Sequence, residues 1–218
     1  MSTASILAEA GLELPPGYTI VSADERPDLD PAIDELLAAT WPAFMNEDEV
    51  ANAHFGRAYA DWPQFQSLLL DKAGTLVALG NAMPLAWDGT DEGLPAGWRE
   101  QVLQSVADLE AGRPMNTLGA MQIAMRGDAR GAGLSGTMVG AMRAGAKAAG
   151  YRAVIACVQQ AAEHRPKSHD FKERSVDDAC LDGTRFQAES DQGEVDGGKI
   201  TERRDGPGPR FDVGDFRD

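Results

Sequence analysis

The sequence predicts an α/β (α+β) domain built on a mixed β-sheet. Residues 118–158 read as a strand, a glycine-rich loop, a helix and a second strand, which is the pattern of a parallel βαβ unit. Upstream, two apolar runs at 65–70 and 75–80 flank the turn-forming residues 71–74, which is typical of an antiparallel hairpin. The chain is therefore expected to combine parallel and antiparallel strand neighbours in one sheet.

The remaining elements follow from caps and apolar spacing. A first strand is predicted at 18–22, and a helix begins at Asp30, the expected N-cap, with Pro31 in its first turn. A second helix is predicted from 46 to 59, and a further helix from 98 to 111 lies between the hairpin and the strand at 118. The predicted order is strand, helix, helix, strand, strand, helix, strand, loop, helix, strand.

Length and charge limit the possible functions. The 218 residues predict a leader at 1–17, one domain at 18–158 and a polar tail at 159–218. The net charge of −15 argues against nucleic-acid binding, because phosphate backbones are held by clusters of Lys and Arg. No signal peptide or long apolar span is visible, so we expect a cytoplasmic protein without membrane contact. The three His and two Cys show no spacing typical of a metal site, and no metal is expected.

The tail differs in kind from the rest of the chain. Leu, Ile, Val and Phe make up nine of its sixty residues, below the roughly 20% level that marks disorder. We therefore expect residues 159–218 to be largely disordered. The predicted strand that ends at Val158 would then have a free edge, and the C-terminal part of the fold would be missing or altered.

The glycine-rich loop is the strongest functional signal. Gly131, Gly133 and Gly136 permit a sharp turn and a close backbone approach to a ligand. The loop leads directly into a helix whose apolar residues recur at helical spacing. Unpaired N–H groups at such a helix N-terminus attract anions, so the expected ligand carries a phosphate or pyrophosphate.

Two families contain a loop of this kind. Residues 131–136 match the dinucleotide fingerprint G-x-G-x-x-G, which requires a strand that ends at the first glycine. Here the polar run 126–130 separates the strand from that glycine. Residues 130–135, Arg-Gly-Ala-Gly-Leu-Ser, instead resemble the acyl-CoA signature Q/R-x-x-G-x-G/A of the GCN5-related N-acetyltransferases (GNAT family), with Ser135 at the last position. The preceding residues 121–125 resemble the fourth strand of that family.

The resemblance covers residues 18–158 and implies a GNAT-like mixed sheet. It further implies acetyl transfer from acetyl-CoA, as co-substrate, to the amine of an acceptor, here expected to be a small molecule. An exposed strand edge would pair with the pantetheine arm, and one of its N–H groups would polarise the thioester carbonyl. The residues so implicated are Gln122, Ile123, Ala124, Met125, Arg130, Gly131, Ala132, Gly133, Leu134, Ser135 and Gly136. Arg126 is a further candidate for the CoA phosphates, and the helix at 98–111 is an insertion expected to border the acceptor cleft.

The catalytic residues stay unassigned. Glu47, Asp48 and Glu49 are candidates for a general base, because the second helix of the family usually borders the acceptor site; they equally fit acids favoured by the helix dipole. The usual general acid is a tyrosine in the helix after the fifth strand, and no tyrosine follows Val158. An active N-acetyltransferase, a CoA-binding protein with impaired catalysis and a dinucleotide-binding oxidoreductase all stay open.

Overall fold

A computed structural model describes residues 1–41, 47–158 and 210–215, with the last segment and Val158 described by their backbone alone. A six-stranded sheet runs through these residues, with its strands in the order of the chain. Only the fourth and fifth strands are parallel neighbours, and the other four pairs are antiparallel. The predicted mixed sheet is confirmed. Its strands are β1 (Thr19–Ser22), β2 (Ser67–Leu70), β3 (Leu76–Leu85), β4 (Thr117–Met125), β5 (Ala153–Val158) and β6 (Arg210–Asp215).

The helices predicted from Asp30 onward fall close to their expected positions, with one correction, and a further helix forms at Thr3–Glu9 within the predicted leader. Residues 46–59 were expected to form a single helix, but a π-helical segment at Ala51–Phe55 and the helix at Arg57–Asp61 meet at Gly56. Glycine is a poor helix former, and the wide π turn interrupts the regular hydrogen-bond ladder. The helices are α1 (Thr3–Glu9), α2 (Asp30–Thr40), α3 (Arg57–Asp61), α4 (Trp98–Glu110) and α5 (Leu134–Ala148).

The two faces of the sheet are covered by different helices. α5 packs on one face, where Met138 and Met142 lie against Gly80 of β3. α1 lies beside α5 and contributes the buried Leu7 to the same cluster. The opposite face carries α2, α3 and α4. Gln101 of α4 lies so close to Gly119 of β4 that a Cβ on Gly119 would be 2.6 Å from the Gln101 Nε2. The helix predicted as an insertion therefore covers the start of β4.

The edge of β5 corrects one expectation. β6 pairs antiparallel with β5 over the whole length of both strands, so β5 does not have the predicted free edge. The composition of 159–218 concealed this strand, because Phe211 and Val213 give only two apolar positions in alternation. The rest of the predicted disordered tail, 159–209 and 216–218, lies outside the described residues.

Candidate functional site

A gap opens between the parallel strands β4 and β5. The two strands pair from Thr117↔Ala153 to Ala120↔Ala156, and the pairing stops there although both strands continue. A bulge in β4 lies at the same point: Gln122 pairs with Asn81 of β3, the next β3 residue pairs with Ala120, and Met121 is left over. A bulge bends its strand and increases the local twist. The extra residue therefore accounts for the separation of β4 from β5.

The backbone of β4 is free on the side of the gap. The Arg126 N–H donates to Val77 O at 2.9 Å, so the backbone N–H of Arg126 is directed toward β3. Successive residues of a strand direct their N–H and C=O groups to opposite sides, so Gln122 and Ala124 face β3. Ile123 and Met125 consequently direct their N–H and C=O groups into the gap, where β5 no longer pairs. Of the predicted residues 122–125, these two present a backbone that pairs with no other described strand.

A row of unused N–H groups follows directly after β4. Gly131 and Gly133 adopt left-handed backbone conformations, with φ of 80° and 74°. Within the described chain, no carbonyl accepts a hydrogen bond from the N–H of Gly131, Ala132 or Gly133. The first-turn N–H groups of α5 have no intrahelical acceptor by helix geometry, and no side chain caps them. Among the residues that the structure describes, the space above the loop is open, since a Cβ on Gly131, Gly133 or Gly136 would meet no atom of them within 4 Å.

The three other predicted loop residues differ in exposure. Leu134 is buried in the core under the loop, Ser135 is partly buried at the second position of α5, and Arg130 is exposed beside the open space. Arg126 is held by Asp128 through two hydrogen bonds of 2.9 and 2.8 Å. These bonds keep the pKa of Asp128 below its usual value. Arg126 is thus already paired, which makes Arg130 the better candidate for a phosphate contact.

A buried polar network holds the bulge in place. Gln66 is fully buried, and it accepts a hydrogen bond from the Ala82 N–H at 3.2 Å and donates to Ala82 O at 2.8 Å. These bonds satisfy backbone groups where the β3–β4 ladder changes register. Asn81 donates to Gln66 Oε1 at 3.0 Å and accepts from Gln122 Nε2 at 2.8 Å. The sequence signal for this network is a set of polar residues within or beside apolar strands, of which only Gln122 was among the predicted site residues.

The network continues to the helices above β4. Trp41, at the end of α2, donates from its indole N–H to Gln122 Oε1 at 2.6 Å. The Tyr59 hydroxyl of α3 accepts a hydrogen bond from Asn81 Nδ2 at 2.7 Å. Burial raises the pKa of the Tyr59 phenol to about 12, so this hydroxyl is neutral at physiological pH. α2 and α3 are therefore fixed to the part of β4 that borders the gap.

None of the three general-base candidates, Glu47, Asp48 and Glu49, is a buried carboxylic acid. Glu47 and Glu49 are exposed. Asp48 accepts hydrogen bonds from the N–H groups of Val50 and Ala51, both at 2.9 Å, and its other oxygen lies 3.1 Å from Arg99. The Ala51 N–H, followed by Arg99, keeps the pKa of Asp48 below its usual value. Asp48 has the geometry of a helix cap, and its low pKa makes it a weak base.

One cysteine and one tyrosine lie near the sheet without an evident catalytic role. Cys157 of β5 is half-buried, beside the backbone of Trp98 at the start of α4. Burial raises the pKa of this thiol, as expected for a structural cysteine. Tyr151 precedes β5 and packs against Phe65 with ring centroids 5.6 Å apart. In residues 1–41 and 47–158, no three His, Cys, Asp or Glu side chains are grouped as metal ligands, and no helix is long and apolar enough to cross a membrane.

The fold and the site together define a class of protein. A mixed sheet with one parallel pair, an exposed strand edge, and a glycine loop that leads into a helix is the arrangement that the resemblance to the acyl-CoA-binding GNAT fold implies. No family model matches the chain. A curated relative, the arginine N-acetyltransferase avaD of Aspergillus versicolor, is 29% identical over 165 residues. That match covers 68% of this chain and 55% of the relative, so the chain spans about half the length of the curated relative.

Solved structures of similar shape were also found. The GNAT family N-acetyltransferase YhbS from Escherichia coli, in complex with CoA, is 17% identical, with a TM-score of 0.44 and coverage of 66% of this chain and 64% of that one. The GphF GNAT-like decarboxylase in complex with isobutyryl-CoA is 20% identical, with a TM-score of 0.46 and coverage of 64% and 65%. The chain is thus similar to a curated N-acetyltransferase, and its mixed sheet agrees with the predicted resemblance to the GNAT fold.

Proposed function

We propose that the chain is a cytoplasmic N-acetyltransferase that moves an acetyl group from acetyl-CoA to the amine of a small molecule. One observation carries the proposal: the gap beside β4 and the row of unused N–H groups from residue 131 to 136 are consecutive along the chain. An extended thioester with a pyrophosphate at one end needs these two features in this order.

The direction of the bound CoA follows from the same order. The pyrophosphate binds the N–H groups at the start of α5, which follow the C-terminal end of β4. The pantetheine arm then runs back along β4 toward Ala120 and pairs with the free backbone of Met125 and Ile123. The thioester lies near the point where the strands separate. Because its N–H is directed into the gap, Ile123 is the residue that we assign to the thioester carbonyl oxygen.

The transfer then requires few groups. The amine nitrogen attacks the carbonyl carbon, the carbonyl oxygen gains negative charge that the Ile123 N–H stabilises, and the carbon–sulfur bond breaks. The amine loses a proton, and the CoA thiolate gains one. Asp48 is a poor base for the first of these steps, because its carboxylate is occupied by Ala51 and Arg99. Holding both substrates beside β4 supplies much of the rate.

Acetyl-CoA binding and turnover test the proposal in two stages. Isothermal titration calorimetry should show binding of acetyl-CoA, with NAD and NADP as negative controls. Release of free CoA is then measured with a panel of small amines, beginning with arginine because the curated relative is named for that substrate. The strongly negative chain favours cationic acceptors of this kind. Absence of acetyl-CoA binding would refute the proposal.

A second candidate is a protein that binds CoA without transferring the acetyl group. It is favoured by one observation: among residues 1–41 and 47–158, no buried carboxylate lies beside the unpaired edge of β4, whose contacts there are amides and an indole. Binding of acetyl-CoA without turnover of any amine would support it. The alternative of a dinucleotide-binding oxidoreductase is disfavoured by the sheet. A doubly wound fold needs parallel neighbouring strands, and four of the five strand pairs described here are antiparallel.

A further inference from the structure

Gln101 of α4 lies at the closed end of the gap. Its Nε2 is 3.4 Å from Ala120 O and 2.7 Å from the Met121 sulfur, at the last β4 residue paired with β5 and the residue after it. The side chain is fully buried. These contacts also fix the amide orientation, because the reversed amide would direct its oxygen at a carbonyl oxygen and a thioether.

The first turn of α4 spans both strands at this point. The backbone of Trp98, the first residue of α4, lies beside Cys157 of β5, one residue past the last β4–β5 pair. One turn later, Gln101 contacts β4. The start of α4 thus covers the point where the two strands separate, on the face of the sheet that also carries α2 and α3.

The carbonyl oxygen of Gln101 has no hydrogen-bond partner among the described residues. A buried polar atom in this state costs about 1–3 kcal/mol, and most such atoms in folded proteins find a partner. The Gln101 Nε2 already donates to Ala120 O and the Met121 sulfur. The carbonyl oxygen can only accept, so its partner must carry an N–H or O–H group. The described residues supply no such donor to this oxygen at the closed end of the gap.

We propose that Gln101 binds the acceptor amine, whose N–H donates to the Gln101 Oε1. This inference rests on the proposed acetyl transfer. The acetyl end of the bound thioester reaches the closed end of the gap, so the attacking amine must approach there. Met121 lies against the Gln101 amide, and its unbranched side chain changes rotamer easily. Its movement exposes the oxygen, which then orients the nitrogen lone pair toward the thioester carbon.

Two variants at this position test the inference. Gln101→Leu and Gln101→Met keep the volume and remove the oxygen. Both changes remove the cost of the unpartnered buried carbonyl, and this gain offsets the loss of the Nε2 contacts with Ala120 O and the Met121 sulfur, so the melting temperature should stay equal or rise. The Kd of acetyl-CoA should stay within about twofold, because its binding groups lie at residues 123–136. The KM of the best amine in the panel should rise at least tenfold, which corresponds to about 1.4 kcal/mol.

Ser105→Ala provides the matched control. Its hydroxyl is also fully buried and without a partner among the described residues, one turn further along the same helix. The control should stabilise the fold in the same way and leave the amine KM unchanged. An unchanged KM in both Gln101 variants, with a wild type that turns over, would overturn the role of Gln101 and leave the proposed function intact. A wild type that does not bind acetyl-CoA, or that binds it and turns over no amine, would refute the transfer and this role with it.

Discussion

Gly133→Asp is the most direct test of the phosphate site. The change places a carboxylate in the open space above the loop, where a pyrophosphate would lie. Repulsion between the charges, and occupation of the N–H groups by the new carboxylate, should weaken acetyl-CoA binding at least about 100-fold, or roughly 2.7 kcal/mol. Calorimetry with acetyl-CoA measures this loss.

The cost to the fold can be separated from the loss of binding. At a φ of 74°, a non-glycine residue costs about 1–2 kcal/mol, although no contact blocks the side chain. For a chain of this length the melting temperature should fall by roughly 2–8 °C. Gly112→Asp is the matched control, because Gly112 has a φ of 62° and equally open surroundings at the far end of α4. It should lose similar stability and bind acetyl-CoA normally. Unchanged affinity in a folded Gly133→Asp variant would refute the assignment of the loop.

Three further predictions concern the loop and the network beneath β4. Ser135→Gly should change the acetyl-CoA Kd by less than tenfold, because a small residue suffices at this helix start; a larger loss in calorimetry would show that the hydroxyl contacts the ligand. Gln66→Leu should lower the free energy of unfolding in urea by about 3 kcal/mol, since the Ala82 N–H and C=O lose their side-chain partner and Asn81 Nδ2 loses one of its two acceptors; a loss under about 1 kcal/mol would contradict this. The pKa of Tyr59 is raised from 10.0 to about 12, so the unfolded state releases this proton first and stability falls as pH rises from 10 to 12. Tyr59→Phe should flatten that alkaline limb in pH-dependent melting, and an identical slope would show that another group causes it.

Local patterns accounted for most of the elements. The predicted strand, loop, helix and strand of residues 118–158 are confirmed, because apolar periodicity and glycine position act over a few residues. The same local information misjudged residues 46–59, where the helix breaks at Gly56. β3 extends past the predicted run 75–80 and through Pro84, because the proline lies beyond the last β2 pair, where a missing N–H costs no ladder bond.

The sequence by itself determined the mixed sheet, the glycine loop with its helix, and the resemblance that these carry. Only the tertiary structure decided where the site opens. The bulge at Met121, the end of pairing at Ala120 and the contact of Gln101 with both depend on residues 19 or more apart in the chain. The pairing of β6 with β5 is equally long-range. No local pattern encodes such contacts, because a bulge and a buried amide take their meaning from the strand or helix packed against them.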